Sequence, residues 1–202
     1  MRERPMKNKN NHSENTDSPG KFSRKAFLRL SIGSAAAISL GSLAGCGGGA
    51  RKLRFNDFNQ VMVELALIEN NLDTLEMQQE WSLYKVLTHL AHTVEGSWKG
   101  LASYDSNAQQ AVQYVAFAAF VAQGYMSHNL TAPVPSLEGE IADDGPLVEA
   151  FDKLRNAITY FQNNLTAESE LYEHFAYGKL SYQEWEWANT FHAADHFSSL
   201  TY

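Results

Sequence analysis

From Phe58 onward the apolar residues recur three and four positions apart, the interval of a helix with one buried face. Phe58, Met62, Leu65 and Ile68 or Leu72 make a first stripe and predict a helix over about 56–71. Ser82 is placed to cap a second helix, about 83–98, with Leu83, Val86, Leu87, Leu90, Val94 and Trp98 as its stripe. Ser106 opens a third, "NAQQAVQYVAFAAFVAQGYM", whose wealth of alanine and aromatic residues predicts a central position. A loop of some 16 residues follows, "NLTAPVPSLEGEIADDGP", with prolines at 133, 135 and 146; loops of that length often cover something. Pro146 suits the first turn of a fourth helix carrying Leu147, Phe151, Leu154, Ile158, Phe161 and Leu165. "HFAYGKL" breaks the pattern again, with Gly178 able to supply a positive φ. "SYQE", residues 181–184, is a capping box that starts a last helix through about Leu200. No strand pattern, internal repeat or low-complexity segment accompanies these stripes. The fold class is all-α, a helical bundle of about five helices with one long connecting loop.

The first 45 residues stand apart. A polar run turns basic in "KFSRKAFLRL" and then softly apolar in "SIGSAAAISLGSLAGC", the order of an export signal. Its apolar stretch is short and rich in Gly and Ser for a membrane span. "LAGC", residues 43–46, resembles the bacterial lipobox, which implies cleavage before Cys46 and lipid attachment to its thiol. "SRKAFLRL" resembles a twin-arginine signal, with Arg24-Lys25 in place of the usual pair, so twin-arginine and general secretory export both stay open. The plainer alternative is an ordinary secretory signal with a stray cysteine. Cys46 is the only cysteine, so no intramolecular disulfide can form. The expected division is 1–45 signal, 46–54 lipidated cysteine and Gly-rich tether, and 55–202 helical domain. The expected location is the cell envelope, anchored by lipid and facing the periplasm or exterior.

Removing the signal changes the charge. Of 16 Lys+Arg, eight fall in residues 1–45, and of 23 Asp+Glu, three do. The chain from Cys46 therefore carries eight positive against twenty negative residues, a net −12. That balance argues against nucleic acid and against a membrane held through basic patches. The oligomeric state stays open, a homodimer included.

Histidine is the residue type that carries candidate chemistry. His192 and His196 lie four apart within one narrow sector of the last helix, together with Trp185, Ala188 and Ser199. Inward-facing imidazoles need hydrogen bonds or a metal, and the spacing suits either. A third ligand should come from another helix, and the second offers His89 and His92. By wheel arithmetic neither points straight into the core: His89 flanks the apolar stripe, and His92 sits nearly opposite it. His89 is therefore the ligand candidate and His92 a surface or outer-sphere residue. His128 either interacts with the C-terminus of the third helix as a cation or lines the site. His174 packs over the pocket or serves its own loop. Asp195 and Glu184 are acid–base or outer-sphere candidates, with solvent exposure and the capping box as their plainer roles.

A tryptophan ahead of the second helix, followed by histidine in "WSLYKVLTHLAH", together with the final His-x-x-x-His, resembles the DinB/YfiT-like metalloprotein superfamily. "FVAQGYMSHNL" and "HFAYGKLSYQEWEWANTFHAADH" extend the likeness to an uncharacterised, partly exported subgroup over most of residues 55–200. The resemblance implies a four-helix bundle holding a divalent metal through three histidines, here His89, His192 and His196. Relatives with known chemistry use that metal to activate a small thiol for transfer, or to assist isomerisation and hydrolysis. Three imidazoles leave a position for water or substrate, and zinc, nickel and iron all accept them. Three readings follow: a lipid-anchored, metal-dependent transferase or hydrolase of small molecules, a non-catalytic metal- or ligand-binding protein, and a metal-free interaction bundle. No nucleophile elbow, phosphate loop or CxxC points elsewhere, and no catalytic residue beyond the ligands is assigned.

Overall fold

The computed structural model describes residues 51–132, 137 and 139–202. The segment expected to be an export signal, Cys46 and the glycines that follow it lie outside the described residues, as do Pro133 and Pro135 of the long loop. Five α-helices appear among the described residues: α1 Phe58–Asn70, α2 Leu83–Lys99, α3 Asn107–Gln123, α4 Leu147–Asn164 and α5 Tyr182–Ser198. A 3-10 turn, Leu72–Thr74, leads into the two-residue strand β1, Glu76–Met77. β1 pairs antiparallel with β2, Leu200–Thr201, in the register Glu76–Thr201 and Met77–Leu200. The fold is all-α.

Local chemistry sets the helix starts. Asp57, Ser82, Ser106 and Ser181 each accept a hydrogen bond from the backbone N–H three residues on, a cap worth about 1 kcal/mol. Ser181 with Glu184, and Ser106 with Gln109, complete reciprocal capping boxes. Pro146 is the N-cap of α4, one residue before the expected first turn. α5 stops at Ser198, short of the expected Leu200, because Leu200 is extended and paired with Met77.

Four of the helices close a ring in which α2 packs on α4 and α5, and α1 packs on the same two. Within it lie the fully buried Phe58, Leu65, Ile68, Leu87, Leu90, Phe151, Leu154, Ile158, Phe161, Trp185 and Phe197. Each such side chain contributes about 1.5–3 kcal/mol of transfer free energy. Phe58 meets Phe161 edge to face at 5.2 Å, and the Trp185 indole donates to the Tyr172 carbonyl at 3.2 Å. Buried Glu64 is paired with Arg51 at 2.7 Å and with the Tyr202 hydroxyl at 2.9 Å. That cluster ties the first and last described residues to α1.

α3 corrects the expectation of a central third helix. Only Gln110 and Phe117 are buried along it, while Val112 and Val115 are about 70% exposed. Alanine carries too little surface to draw a helix inward, and α3's apolar residues lie all round it, not in one stripe. The long loop is pinned at its far end, where Ser82 donates to the Asp143 carbonyl and Lys85 pairs with the Asp143 carboxylate at 2.6 Å. No helix among the described residues is long and apolar enough to cross a membrane.

Candidate metal centre

α5 presents His192 and His196 on the face it turns toward α2, and α2 meets them with His89. The Nε2 atoms of His89 and His192 lie 3.1 Å apart, and those of His192 and His196 lie 3.2 Å apart. Ligand atoms of all three fall within 4.8 Å of one another. Two nitrogens at zinc-type bond lengths of about 2.05 Å and a tetrahedral angle would be about 3.3 Å apart, so His192 is spaced from each of the other two as ligands sharing one ion are.

The protons of this cluster carry the same message. The Gln79 side-chain nitrogen faces the His196 carbonyl at 3.5 Å, which turns its oxygen to accept from His196 Nδ1–H at 3.2 Å. His196 Nε2 is therefore a lone pair. His192 Nε2 has two imidazole nitrogens in reach and can carry one proton at most, so a linear hydrogen bond satisfies only one of them. A cation satisfies all three at once. Burial, and then the neighbouring His128 and His92, push the pKa of His89 down to about 3. Burial first, and then the other imidazoles, hold His192 and His196 well below the ordinary value. All three are neutral near pH 7, the form that ligates metal.

The aromatic surroundings fix these rings. Trp81 stacks on His196 at 6.0 Å and meets His89 edge on at 5.1 Å. Gln79 and Trp81 reach the centre because the β1–β2 pair, continued by a bond from Gln78 N–H to the Ser199 carbonyl at 2.8 Å, holds residues 76–79 against the end of α5. Gln79 was missed by pattern reading, since a two-residue strand shows no period.

The wheel arithmetic understated both α2 histidines. α2 is buried almost all round because α4 covers its aliphatic stripe and α5 its flank, so His89 and His92 are both buried. Of the two roles expected of His92, surface or outer-sphere, the surface one does not hold: it is buried, outside the trio, and its Nε2 meets Lys153 Nζ of α4 at 2.6 Å. His128 does not serve the α3 C-terminus; Arg54 faces the Gln123 carbonyl there. Instead its ring lies 4.8 Å from that of His192 and 5.2 Å from that of His196. Asp195 is not merely solvated, for its Oδ2 accepts from His128 Nδ1 at 2.7 Å and from the His128 backbone N–H at 2.8 Å. Glu184 stays in the capping box and also accepts from the Tyr114 hydroxyl at 2.7 Å, away from the centre.

His174 is buried in a turn closed by reciprocal backbone bonds with Gly178, whose φ is +72°. Its Nδ1 accepts from the Ala176 and Tyr177 N–H groups, both at 3.2 Å, which leaves the proton on Nε2. His128, His174 and His192 line one cavity of about 330 Å³, together with Thr93, Tyr177 and Asn189. His192 lines this space, so the centre adjoins it.

A family model described as a protein of unknown function, DUF1569, matches residues 49–202, which contain every element and histidine described above. The chain belongs to the DUF1569 family. No curated protein and no solved structure matches it. For this DUF1569 member the geometry establishes three close histidines able to bind a metal ion.

Proposed function

We propose that this DUF1569 protein binds one divalent metal through His89, His192 and His196 and presents it to a small molecule in the adjoining cavity. The observation that carries the reading is the convergence of three imidazole nitrogens, of which His196 Nε2 presents a lone pair. The ligand positions coincide with those the DinB/YfiT-like resemblance implies, and we place the domain in that superfamily. A metal-dependent transferase or hydrolase of small molecules is the activity we assign. An ion held there supplies Lewis acidity, a bound water of lowered pKa or a site for a thiolate.

The chain's own residues then have definite tasks. Gln79 fixes the tautomer of His196. Asn189 donates its amide to the Trp185 carbonyl at 3.0 Å and keeps its oxygen as an acceptor at the cavity wall. His174, with its proton on Nε2, is a donor at the same wall. A volume of about 330 Å³ sits at the lower end for small-molecule pockets. Anchorage by lipid at Cys46 would hold the domain at the cell envelope.

Elemental analysis of the full-length protein, purified after growth with zinc, nickel and iron, tests the metal. Near-stoichiometric content of one ion is expected, lost in a His192→Ala, His196→Ala double variant that still folds. Metal-free protein, or equal metal in the variant, overturns the proposal. Turnover of thiol and ester substrates by the loaded protein then separates an enzyme from a binding protein.

A further inference from the structure

We propose that His128 is a fourth imidazole ligand of the same centre, aimed by Asp195; the inference rests on the metal reading above. The His128 ring stands as close to His192 and His196, at 4.8 and 5.2 Å, as the three other rings stand to one another, at 4.8 to 5.3 Å. Its orientation is imposed. Asp195 Oδ2 takes both the backbone N–H of His128 and its Nδ1–H, and in a five-membered ring that turns Nε2 away from the carboxylate. Asp195 lies on α5 beside the face that carries His192 and His196, and the ring it holds packs against both of theirs.

A ligating histidine commonly gives its second ring N–H to a carboxylate or carbonyl, which fixes the tautomer and raises basicity. His128–Asp195 has that form, with a carboxyl oxygen as the partner where His196 has a side-chain amide. The alternatives for His128 are weaker. The C-terminus of α3 is served by Arg54 and by the N–H of Gly124, not by this ring. A plain surface ion pair would not need the ring to sit against two buried imidazoles.

The fourth ligand alters which metal keeps chemistry within reach. Four imidazoles fill a tetrahedral zinc, whereas a six-coordinate nickel or iron retains positions for a molecule from the cavity. His128 and His192 both line that cavity, so the ligand would stand between the ion and its access route.

The test uses cobalt(II) with the full-length protein, comparing wild type, His128→Ala and Asp195→Asn. Affinity is read by chelator competition and coordination by the visible d–d spectrum. His128→Ala should weaken cobalt about tenfold or more and change the spectrum, and free imidazole should restore it by filling the vacated position. Asp195→Asn should weaken binding by a smaller factor with the spectrum retained. Unchanged affinity and spectrum in His128→Ala overturn the proposal. So does weakened affinity with an unchanged spectrum that imidazole does not affect, because His128 would then act from outside the coordination sphere. If wild type takes up no metal of any kind, the underlying three-histidine reading fails first.

Discussion

Gln79 reaches across 117 positions of sequence to hold His196 in one tautomer, and nothing else in the described residues accepts from that Nδ1. Replacing it by leucine keeps the bulk and removes the acceptor. The expected result for Gln79→Leu is a loss of about 10–100-fold in metal affinity, read by competition titration, with the helices intact by circular dichroism. His174 offers a separate test at this scale. Burial depresses its folded pKa to about 3 from an ordinary 6.5. Above pH 6.5 both folded and unfolded chains hold it neutral and stability is complete. As pH falls from there toward 3 the unfolded chain takes up a proton that the fold refuses, so stability is lost at up to about 1.4 kcal/mol per pH unit. Asparagine offers an oxygen in place of Nδ1, so His174→Asn should unfold with a flatter pH dependence over that window. Parallel denaturation curves for the two proteins would contradict the assignment.

At the scale of elements, helix starts were legible because capping is local. Asp57, Ser82, Ser106 and Ser181 speak to N–H groups three residues away, and amphipathic stripes such as Leu147–Leu165 name their buried face directly. The rank of α3 was not legible, since an uncharged, alanine-rich helix has no polar face to mark its outside. Its placement makes a contrast that can be measured. Phe117→Ala should cost about 3–5 kcal/mol, because that ring is buried and stacked on Tyr177 at 4.8 Å. Val112→Ser with Val115→Ser should move stability by only about 0.5 kcal/mol. Denaturant unfolding of both proteins decides it, and a double valine variant as damaged as Phe117→Ala would mean that the outer face of α3 is covered.

For the molecule as a whole, His192 and His196 could be read from the sequence because they share one helical turn. His89 was placed less well: a wheel centred on one stripe assumes one buried face, and α2 has several. Gln79, Trp81 and the His128–Asp195 pair come together only through the tertiary arrangement, in which β1 and the segment after α3 are laid against the end of α5. That end of the bundle concentrates polar groups that are costly to bury, while its middle is aliphatic and aromatic. The contrast marks a site, which we propose holds an ion. Anomalous diffraction from crystals of protein grown with zinc, nickel and iron, recorded at each metal edge, tests this most directly. One strong peak is expected at bonding distance, about 2.0–2.1 Å for zinc, from the Nε2 atoms of His89, His192 and His196. A well-ordered trio with no peak between its nitrogens, or a peak elsewhere, would contradict it.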